Sequence, residues 1–164
     1  MSDVKSVESA PTSSEDELRQ GIELLFYAYR DFTAEPDAML TRWGFGRAHH
    51  RVIYFVGRHP RMSVSDLLAT LRITKQSLSR VLGQLIRQGF IQQRTGSRDR
   101  RQRLLELTQK GVELERQLSE HQRQRIAKAY REAGAGAVEG FKRVMLGIMS
   151  SETDRRRFER PPQG

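Results

Sequence analysis

The chain has 164 residues, of which 37% are hydrophobic, and its formal net charge is +9 at pH 7. This length predicts one domain, or one domain with a long dimerisation element, and we expect part of the core to be shared between subunits. The sequence contains no cysteine, which excludes a disulfide framework, a thiol-based oxidant sensor and a cysteine-ligated metal.

The first 14 residues are polar, rich in serine and include Pro11, which predicts a disordered arm. This start lacks the basic segment and apolar core of a signal peptide. The sequence has no run of 18 apolar residues, so no transmembrane helix is indicated. We therefore expect a cytoplasmic protein.

Residues 15–58 predict two supporting helices. Ser14 and Glu17 have the spacing of a capping box, so the first helix should begin there and continue to about Phe32. A break is expected at residues 34–37, which include Pro36. The first helix carries two apolar stripes, which predicts that two partners share it: Leu18, Ile22, Leu25, Phe26 and Tyr29 in one, and Leu24, Ala28 and Phe32 in the other.

The second helix, predicted over residues 47–58, carries two adjacent histidines. His49 lies on the apolar face, which favours a hydrogen-bonded core residue over a ligand-binding one. His50 and Tyr54 are one turn apart, and packing or ligand binding fits them equally. The four histidines form no metal-binding pattern, because neighbours on a helix point about 100° apart and no His-x-x-x-His occurs. Neither a metal, nor a cofactor, nor an enzymatic motif is indicated.

Residues 59–107 predict two short helices followed by a hairpin. Ser63 has the position of a cap for the first short helix. After a turn at residues 72–74, Thr74 should cap a second helix that runs to about Arg87. Its apolar residues share one face: Leu78, Val81, Leu82, Leu85 and Ile86. Gly89 ends this helix, and two strand-like runs, 90–95 and 103–107, flank a loop at 96–102.

The same stretch holds most of the net charge. Between residues 72 and 103 one acid, Asp99, stands against nine basic side chains: Arg72, Lys75, Arg80, Arg87, Arg94, Arg98, Arg100, Arg101 and Arg103. A solvated charged face is the ordinary explanation of a charge run. Here the cluster falls on a helix and a hairpin, and guanidinium groups suit phosphates and guanine edges. The pattern therefore favours a nucleic-acid-binding surface.

Residues 108–150 predict two further helices that serve dimerisation. Thr108 should cap a long helix, and the sequence Ala-Gly-Ala-Gly at 133–136 should break it. The last helix carries one apolar stripe: Ala137, Val138, Phe141, Val144, Met145 and Ile148. The tail, residues 151–164, is basic and is predicted to be flexible. A solvated end is favoured over a segment that contacts phosphate.

The sequence resembles the MarR family of bacterial transcription regulators, which are dimeric winged helix-turn-helix proteins. Two stretches carry this resemblance. The sequence VSDLLATLRITKQSLSRVLGQLIRQGFI at 64–91 resembles the helix-turn-helix of the family. The sequence SRDRRQRLLELTQKG at 97–111 matches its Asp-x-Arg wing, followed by Leu-Thr-x-x-Gly. The turn lacks the glycine of many such motifs. The resemblance implies a mainly α fold, with a two-stranded β wing and with N- and C-terminal helices that form a dimerisation region.

The expected function is sequence-specific binding of double-stranded DNA by a homodimer on an inverted repeat, in most cases to repress transcription. The second short helix, starting at Thr74, would enter the major groove. Thr74 is itself a candidate DNA-binding residue, Lys75 would contact phosphate, and the candidates for base edges are Gln76, Ser77, Ser79 and Arg80. The resemblance implies that Arg101 enters the minor groove, with Arg98 and Arg100 beside it, and that Asp99 braces the wing through another arginine.

The family resemblance also implies a small aromatic effector, bound between the dimerisation helices and the winged domain. The candidate residues in that region are Tyr27, Tyr29, Trp43, His49, His50, Arg51 and Tyr54, although core packing explains most of them equally well. Two other classes stay open on the sequence alone. One is an architectural nucleic-acid-binding protein without sequence choice, and the other is a ligand- or protein-interaction module with a basic patch.

Overall fold

The computed structural model describes residues 13–159, so most of the predicted N-terminal arm and the last five residues of the predicted tail lie outside the described part. Within it, the elements follow in the order α1 (Glu15–Leu40), a 3₁₀ turn (Thr41–Trp43), α2 (Arg47–Arg58), β1 (Met62–Ser63), α3 (Val64–Leu71), α4 (Lys75–Arg87), β2 (Ile91–Thr95), β3 (Arg103–Leu107), α5 (Gln109–Ala133), α6 (Ala135–Ile148) and α7 (Glu152–Arg156). This is the predicted mainly helical fold with a β wing. No helix in the described part is long and apolar enough to cross a membrane.

Four of the predicted helix caps are confirmed. The Ser14 side chain accepts a hydrogen bond from the Glu17 amide, and the Glu17 carboxylate accepts one from the Ser14 amide. Ser63, Thr74 and Thr108 each cap the helix that follows them with their side-chain oxygen. These caps satisfy amide groups that have no partner inside the helix, which is why short polar side chains mark the starts of the helices.

The predicted break at residues 34–37 was wrong, because α1 continues through Pro36 to Leu40. A proline inside a helix has no amide proton for the carbonyl four residues earlier, which here is that of Phe32. The side-chain amide of Gln122 on α5 donates to this carbonyl at 3.4 Å. Pro36 itself is buried. Tertiary packing and a replacement donor therefore compensate the lost hydrogen bond.

The sheet has three strands in the order β1-β3-β2, all antiparallel to their neighbours. The wing strands pair from Ile91 with Leu107 at the base to Thr95 with Arg103 near the tip. The short strand β1 was not predicted, since it has two residues and pairs with only the middle of β3. It ties the start of α3 to the wing.

The core lies between α2, α3, α4, the sheet and the first half of α5. Its buried apolar residues are Leu40, Phe45, Val52, Ile53, Val56, Leu67, Leu78, Val81, Leu82, Leu85, Phe90, Ile91, Leu105, Leu114 and Leu118. The predicted apolar face of α4 is therefore confirmed. Neither α1 before Thr33 nor α6 contributes a buried residue.

The C-terminal region differs from the prediction in two details. The break between α5 and α6 is confined to Gly134, which has a φ of +88°, and the following alanine already belongs to α6. The predicted tail contains the short helix α7, capped by Ser151. Asp154 of α7 lies 3.5 Å from the Arg72 guanidinium, at the turn before α4. This long-range contact links the end of the described chain to the helix-turn-helix.

Gly111, in the first turn of α5, packs directly against the backbone of Phe90. A Cβ at this position would lie 2.1 Å from the Phe90 carbonyl oxygen and 3.1 Å from its carbonyl carbon. We predict that Gly111→Ala lowers the free energy of unfolding by about 2–3 kcal/mol, because neither backbone segment can yield easily. Urea unfolding at one fixed protein concentration measures the change.

The matched control is Gly136→Ala on α6, where a new Cβ would meet no atom within 4 Å. This substitution should leave stability unchanged or raise it by up to about 1 kcal/mol, since alanine favours the helix. Equal effects of the two substitutions would contradict the close approach at Gly111.

Candidate nucleic-acid interface

Helix α4 has a buried apolar face and an exposed polar face. Leu78, Val81, Leu82 and Leu85 are buried in the core. On the opposite side Lys75, Gln76, Ser79 and Arg80 are exposed. No acidic residue occurs in the helix. Its outer surface can therefore offer cationic and hydrogen-bonding groups to a polyanion, and no acidic side chain of α4 repels the polyanion.

Two of the candidate contact residues are already engaged in the helix cap. The Thr74 side-chain oxygen accepts from the Ser77 amide at 3.1 Å, and the Thr74 hydroxyl donates to the Ser77 oxygen at 3.0 Å. Ser77 is half-buried. The structure thus gives Thr74 and Ser77 a role in starting α4, which leaves four of the predicted residues fully exposed on its outer face.

The tip of the wing is a compact loop held by backbone hydrogen bonds. The Gly96 amide donates to the Gln102 carbonyl at 2.9 Å, and the Gln102 amide donates to the Asp99 carbonyl at 3.1 Å. A Cβ on Gly96 would lie 2.6 Å from that same Asp99 oxygen, so the loop requires a glycine there. The backbone of the tip is therefore fixed while its side chains point outward.

The expected bracing role of Asp99 takes a different form from the one that the resemblance implied. Its carboxylate accepts a hydrogen bond from the Arg101 backbone amide at 2.9 Å. No arginine within residues 13–159 lies at ion-pair distance from it. Asp99 therefore shapes the turn locally, since aspartate often bonds its own backbone two residues on.

The arginines at the wing tip have no acidic partner in the described part of the chain. Arg98, Arg100 and Arg101 are all exposed. By contrast, Arg94 lower on the wing lies 3.1 Å from the Glu106 carboxylate. The tip therefore concentrates uncompensated positive charge, and the exposed face of α4 also lacks acidic residues, which is the electrostatic pattern of a DNA-binding surface.

The C-terminal end of α4 is attached to α5 by contacts that the sequence analysis missed. The Thr108 hydroxyl donates to the Gly89 carbonyl at 2.5 Å, and the Lys110 ammonium donates to the Gln88 carbonyl at 2.9 Å. Lys110 also lies over the Phe90 ring, 4.3 Å from its centroid. The Thr-x-x-Gly pattern was the sequence signal for this attachment. Its threonine, Thr108, caps α5 and also bonds the Gly89 carbonyl.

His49 is the hydrogen-bonded core residue that the sequence favoured. It is 5% exposed and stacks on Phe45, with ring centroids 4.5 Å apart. Its Nδ1 accepts from the Gly46 amide at 3.0 Å, and its Nε2 lies 2.6 Å from the Gln84 side-chain oxygen on α4. Burial lowers the pKa of His49, against the opposing effect of the Gln84 bond. The neutral ring is therefore the form that the core accommodates.

The predicted ligand-binding set divides into two groups. A cavity of about 670 Å³ is lined by residues of α1, α2 and α5, among them Tyr29, His50, Arg51 and Tyr54. Trp43 and His49 do not line it. Trp43 packs on Phe45 and Phe90 in the core, and Tyr27 lies on the exposed side of α1 against Phe26.

The cavity has aromatic walls and basic polar groups. Arg47, Arg51 and Arg123 contribute guanidinium groups, and the Arg51 side chain donates to the Tyr29 hydroxyl. His50 is buried, which lowers its pKa, although Asp37 and Glu115 act in the opposite direction. In residues 13–159 no group of three histidines or carboxylates is arranged to hold a metal ion. Of the three arginines, Arg47 pairs with Asp37 at 2.9 Å and Arg123 with Glu120 at 2.8 Å, whereas Arg51 has no ion pair in the described residues.

The helix pair α3–α4 followed by the wing defines a winged helix-turn-helix protein. The MarR family pattern matches residues 43–102. The chain is 52% identical over 136 residues to the HTH-type transcriptional regulator PetP of Rhodobacter capsulatus, with 83% of this chain and 82% of that protein covered. The chain belongs to the MarR family of transcriptional regulators, which is a family of DNA-binding proteins and not of enzymes.

Solved structures of other proteins share the fold. The structure of Streptococcus pneumoniae FabT in complex with DNA superimposes with a TM-score of 0.69 at 18% identity, covering 80% of this chain and 94% of FabT. RV1404 from Mycobacterium tuberculosis superimposes with a TM-score of 0.64 at 19% identity, covering 88% and 98%. The winged fold predicted from the sequence is thereby confirmed.

Proposed function

We propose that the protein is a homodimeric repressor that binds an inverted-repeat operator and is released from it by a small aromatic anion. The observation that carries the DNA-binding part is the exposed polar face of α4 together with a wing tip whose arginines have no acidic partner within the described residues. The FabT structure, which contains DNA, has the same fold. The two surfaces match what major-groove and flanking backbone contacts require.

The residues divide by the contact that their chemistry suits. Gln76, Ser79 and Arg80 would read base edges in the major groove, since amide and guanidinium groups pair with adenine and guanine there. Lys75, at the start of α4, would contact phosphate. Arg101 would enter the minor groove, with Arg98 and Arg100 on the adjacent backbone. Thr74 and Ser77 would contribute through the helix cap.

The dimer is supported by apolar residues that the single chain leaves in solvent. On α1, Ile22 is 69% exposed and Phe26 is 63% exposed, and on α6 Val144 is 63% exposed. Exposed apolar surface on this scale marks an interaction site. A second copy of the chain presents the same stripes, so a two-fold pairing of α1 and α6 would bury both at once.

A two-fold dimer would place its two α4 helices in successive major grooves on one face of the DNA. The operator should then be an inverted repeat with half-sites about 10 base pairs apart, centre to centre. Repression would follow where such a site overlaps a promoter, because bound protein and polymerase would compete for the same DNA.

The effector is argued from the cavity between α1, α2 and α5. Its rings, including Tyr29, Tyr54 and Phe55, would stack on an aromatic ligand, and Arg51, which has no ion pair within the described residues, would pair with its acidic group. Such a ligand releases DNA only by binding the DNA-incompetent form more tightly. Each tenfold loss of operator affinity requires about 1.4 kcal/mol of that difference.

The wing is tested by Arg101→Ala. We predict a loss of about 1–3 kcal/mol in operator binding and a flatter dependence of log affinity on log salt, because each subunit loses one cationic contact. Operator DNA is obtained by selection from a random pool, and titrations at several salt concentrations give both quantities. A sequence-specific regulator should prefer that DNA by roughly 10³-fold or more over random duplex.

The control for the wing is Arg116→Ala, which also removes one positive charge. Arg116 lies on α5 and pairs with Glu113 at 2.8 Å. Its loss should leave affinity and salt slope nearly unchanged. If Arg101→Ala behaves like this control, the wing has no part in binding, and equal affinity for all duplexes would instead indicate an architectural protein.

The dimer is tested by replacing Phe26 and Phe141 together with serine. We predict monomeric or unfolded protein that does not bind the full operator, since both rings would face the partner. Sedimentation and gel-shift measurements report the two properties. Phe158→Ser is the control, because Phe158 is 62% exposed but lies on neither stripe. A doubly substituted monomer with native operator affinity would exclude the obligate dimer.

The effector is tested by screening benzoates and phenols for thermal stabilisation, then for release of operator DNA. We predict that active compounds lose their effect in His50→Ala and Tyr54→Ala variants, which remove two walls of the cavity. Cyclohexanecarboxylate, an anion without an aromatic ring, is the control compound. Stabilising compounds that never change operator affinity, or that bind both variants normally, would disprove this site.

A further inference from the structure

One buried hydrogen bond connects the supporting helix α2 to the recognition helix α4. His49 of α2 is 5% exposed, and both of its ring nitrogens are engaged. Because Nδ1 accepts from the Gly46 amide at 3.0 Å, the ring proton must lie on Nε2. That proton faces the Gln84 side-chain oxygen at 2.6 Å. The ring therefore has one defined tautomer and one defined partner on α4.

The orientation of the ring is fixed before it reaches α4. His49 stacks on Phe45 with an angle of 13° between the ring planes, and Phe45 is itself buried against Phe90. The bond to the Gly46 amide holds the other edge of the imidazole at the start of α2. A donor held by these two contacts is rigid, so its acceptor on α4 is confined to one position.

Gln84 is well placed to transmit this constraint to the DNA-reading face. It lies one turn after Arg80 and is half-buried, while Arg80 itself is exposed. The buried side chains of α4 are aliphatic, namely Leu78, Val81, Leu82 and Leu85, and the hydrogen bonds from α5 reach only the backbone after its last turn. Aliphatic packing has no preferred direction, so it limits rotation of a helix about its own axis less sharply than a short hydrogen bond does.

Small rotations of α4 matter for base reading. A side-chain tip about 6 Å from the helix axis moves by roughly 1 Å when the helix turns by about 10°. Hydrogen bonds to base edges tolerate only a few tenths of an ångström around their preferred length. A loss of the His49–Gln84 bond would therefore affect base discrimination before it affected contacts with phosphate.

We propose that His49 is a positioning residue for DNA recognition, which sets the rotation of α4 through its hydrogen bond to Gln84 and so sets the specificity of Arg80 and Gln76. This inference rests on the proposed function, in which α4 reads bases in the major groove. His49 is buried and touches no DNA in this arrangement, so its effect on specificity passes through Gln84.

The test compares variants on both sides of the bond. His49→Asn keeps an acceptor for the Gly46 amide but is too short to reach Gln84. His49→Gln reaches further and can donate its amide to the Gln84 oxygen. Gln84→Met removes the acceptor and keeps the length of the side chain. The measured quantity is the ratio of affinities for the selected operator and for the same operator with one base pair changed under α4, at a temperature where each variant is folded.

We expect His49→Asn and Gln84→Met each to lower this ratio by about tenfold, the lower range of one lost base contact, with affinity for random duplex changed less than twofold. His49→Gln should retain most of the ratio. The double variant His49→Asn with Gln84→Met should be no worse than either single one, because both remove the same bond. If His49→Asn does not fold, Gln84→Met and His49→Gln still decide the question.

Three outcomes would overturn the inference. A lowered melting temperature with an unchanged ratio would make the bond merely structural. Additive losses in the double variant would mean that Gln84 contacts DNA directly and that His49 acts elsewhere. An unsubstituted protein without any operator preference would overturn the proposed function itself, and would be recognised before any variant is compared.

Discussion

The position of α4 depends on one junction, where the end of α4, the start of the wing and the first turn of α5 meet around Phe90. The Phe90 carbonyl accepts from the Thr108 amide at 3.0 Å, and Gly111 approaches the same carbonyl so closely that no side chain fits. Thr108 and Lys110 bond the carbonyls of Gly89 and Gln88. Three elements are thus fixed to one another over a few residues, and the long helix α5 cannot move without α4.

The ion pairs are distributed unevenly between α5 and the tip of the wing. On α5, charges are neutralised within one turn, as in the pairs Arg116–Glu113 and Arg123–Glu120. The Arg116 guanidinium lowers the pKa of Glu113 to about 2. At the wing tip the arginines lack such partners in the described residues. Local pairs contribute little stability at an exposed site, whereas unpaired arginines keep their full charge for an anion.

Local signals in the sequence were sufficient for the elements that carry the winged fold. Caps, strand alternation and the apolar face of α4 depend on neighbours within a few residues, so residues 59–107 were predicted nearly as the structure has them. Local signals wrongly predicted a helix break at Pro36. The donor that replaces its missing amide comes from Gln122, 86 positions later in the chain. The helix α7 and its contact with Arg72 depend on the same kind of distant packing.

The predicted ligand-binding set is divided between two places in the structure for a related reason. Aromatic and basic residues near α2 were grouped by composition, but a helix turns adjacent side chains about 100° apart. His49 therefore faces α4, while His50 faces the cavity with α1 and α5. Sequence proximity placed both in one site, and helical geometry separated them. Asp99 is a different case, since its bond to the Arg101 backbone amide follows a local preference of aspartate, whereas the family resemblance implied an arginine side chain.

This separation gives α2 contacts on two sides. His49 bonds the recognition helix, and the next two residues line the cavity, with Arg51 reaching the Tyr29 hydroxyl on α1. A ligand that displaced α2 by part of an ångström would alter the His49–Gln84 distance by a comparable amount, because helices are stiff over so few residues. At 2.6 Å that bond has little room to shorten, so the displacement would have to be taken up by Gln84 or by α4 itself. The contacts of α2 therefore join the wall of the cavity to α4, whose far end is held in turn by Thr108, Lys110 and Gly111.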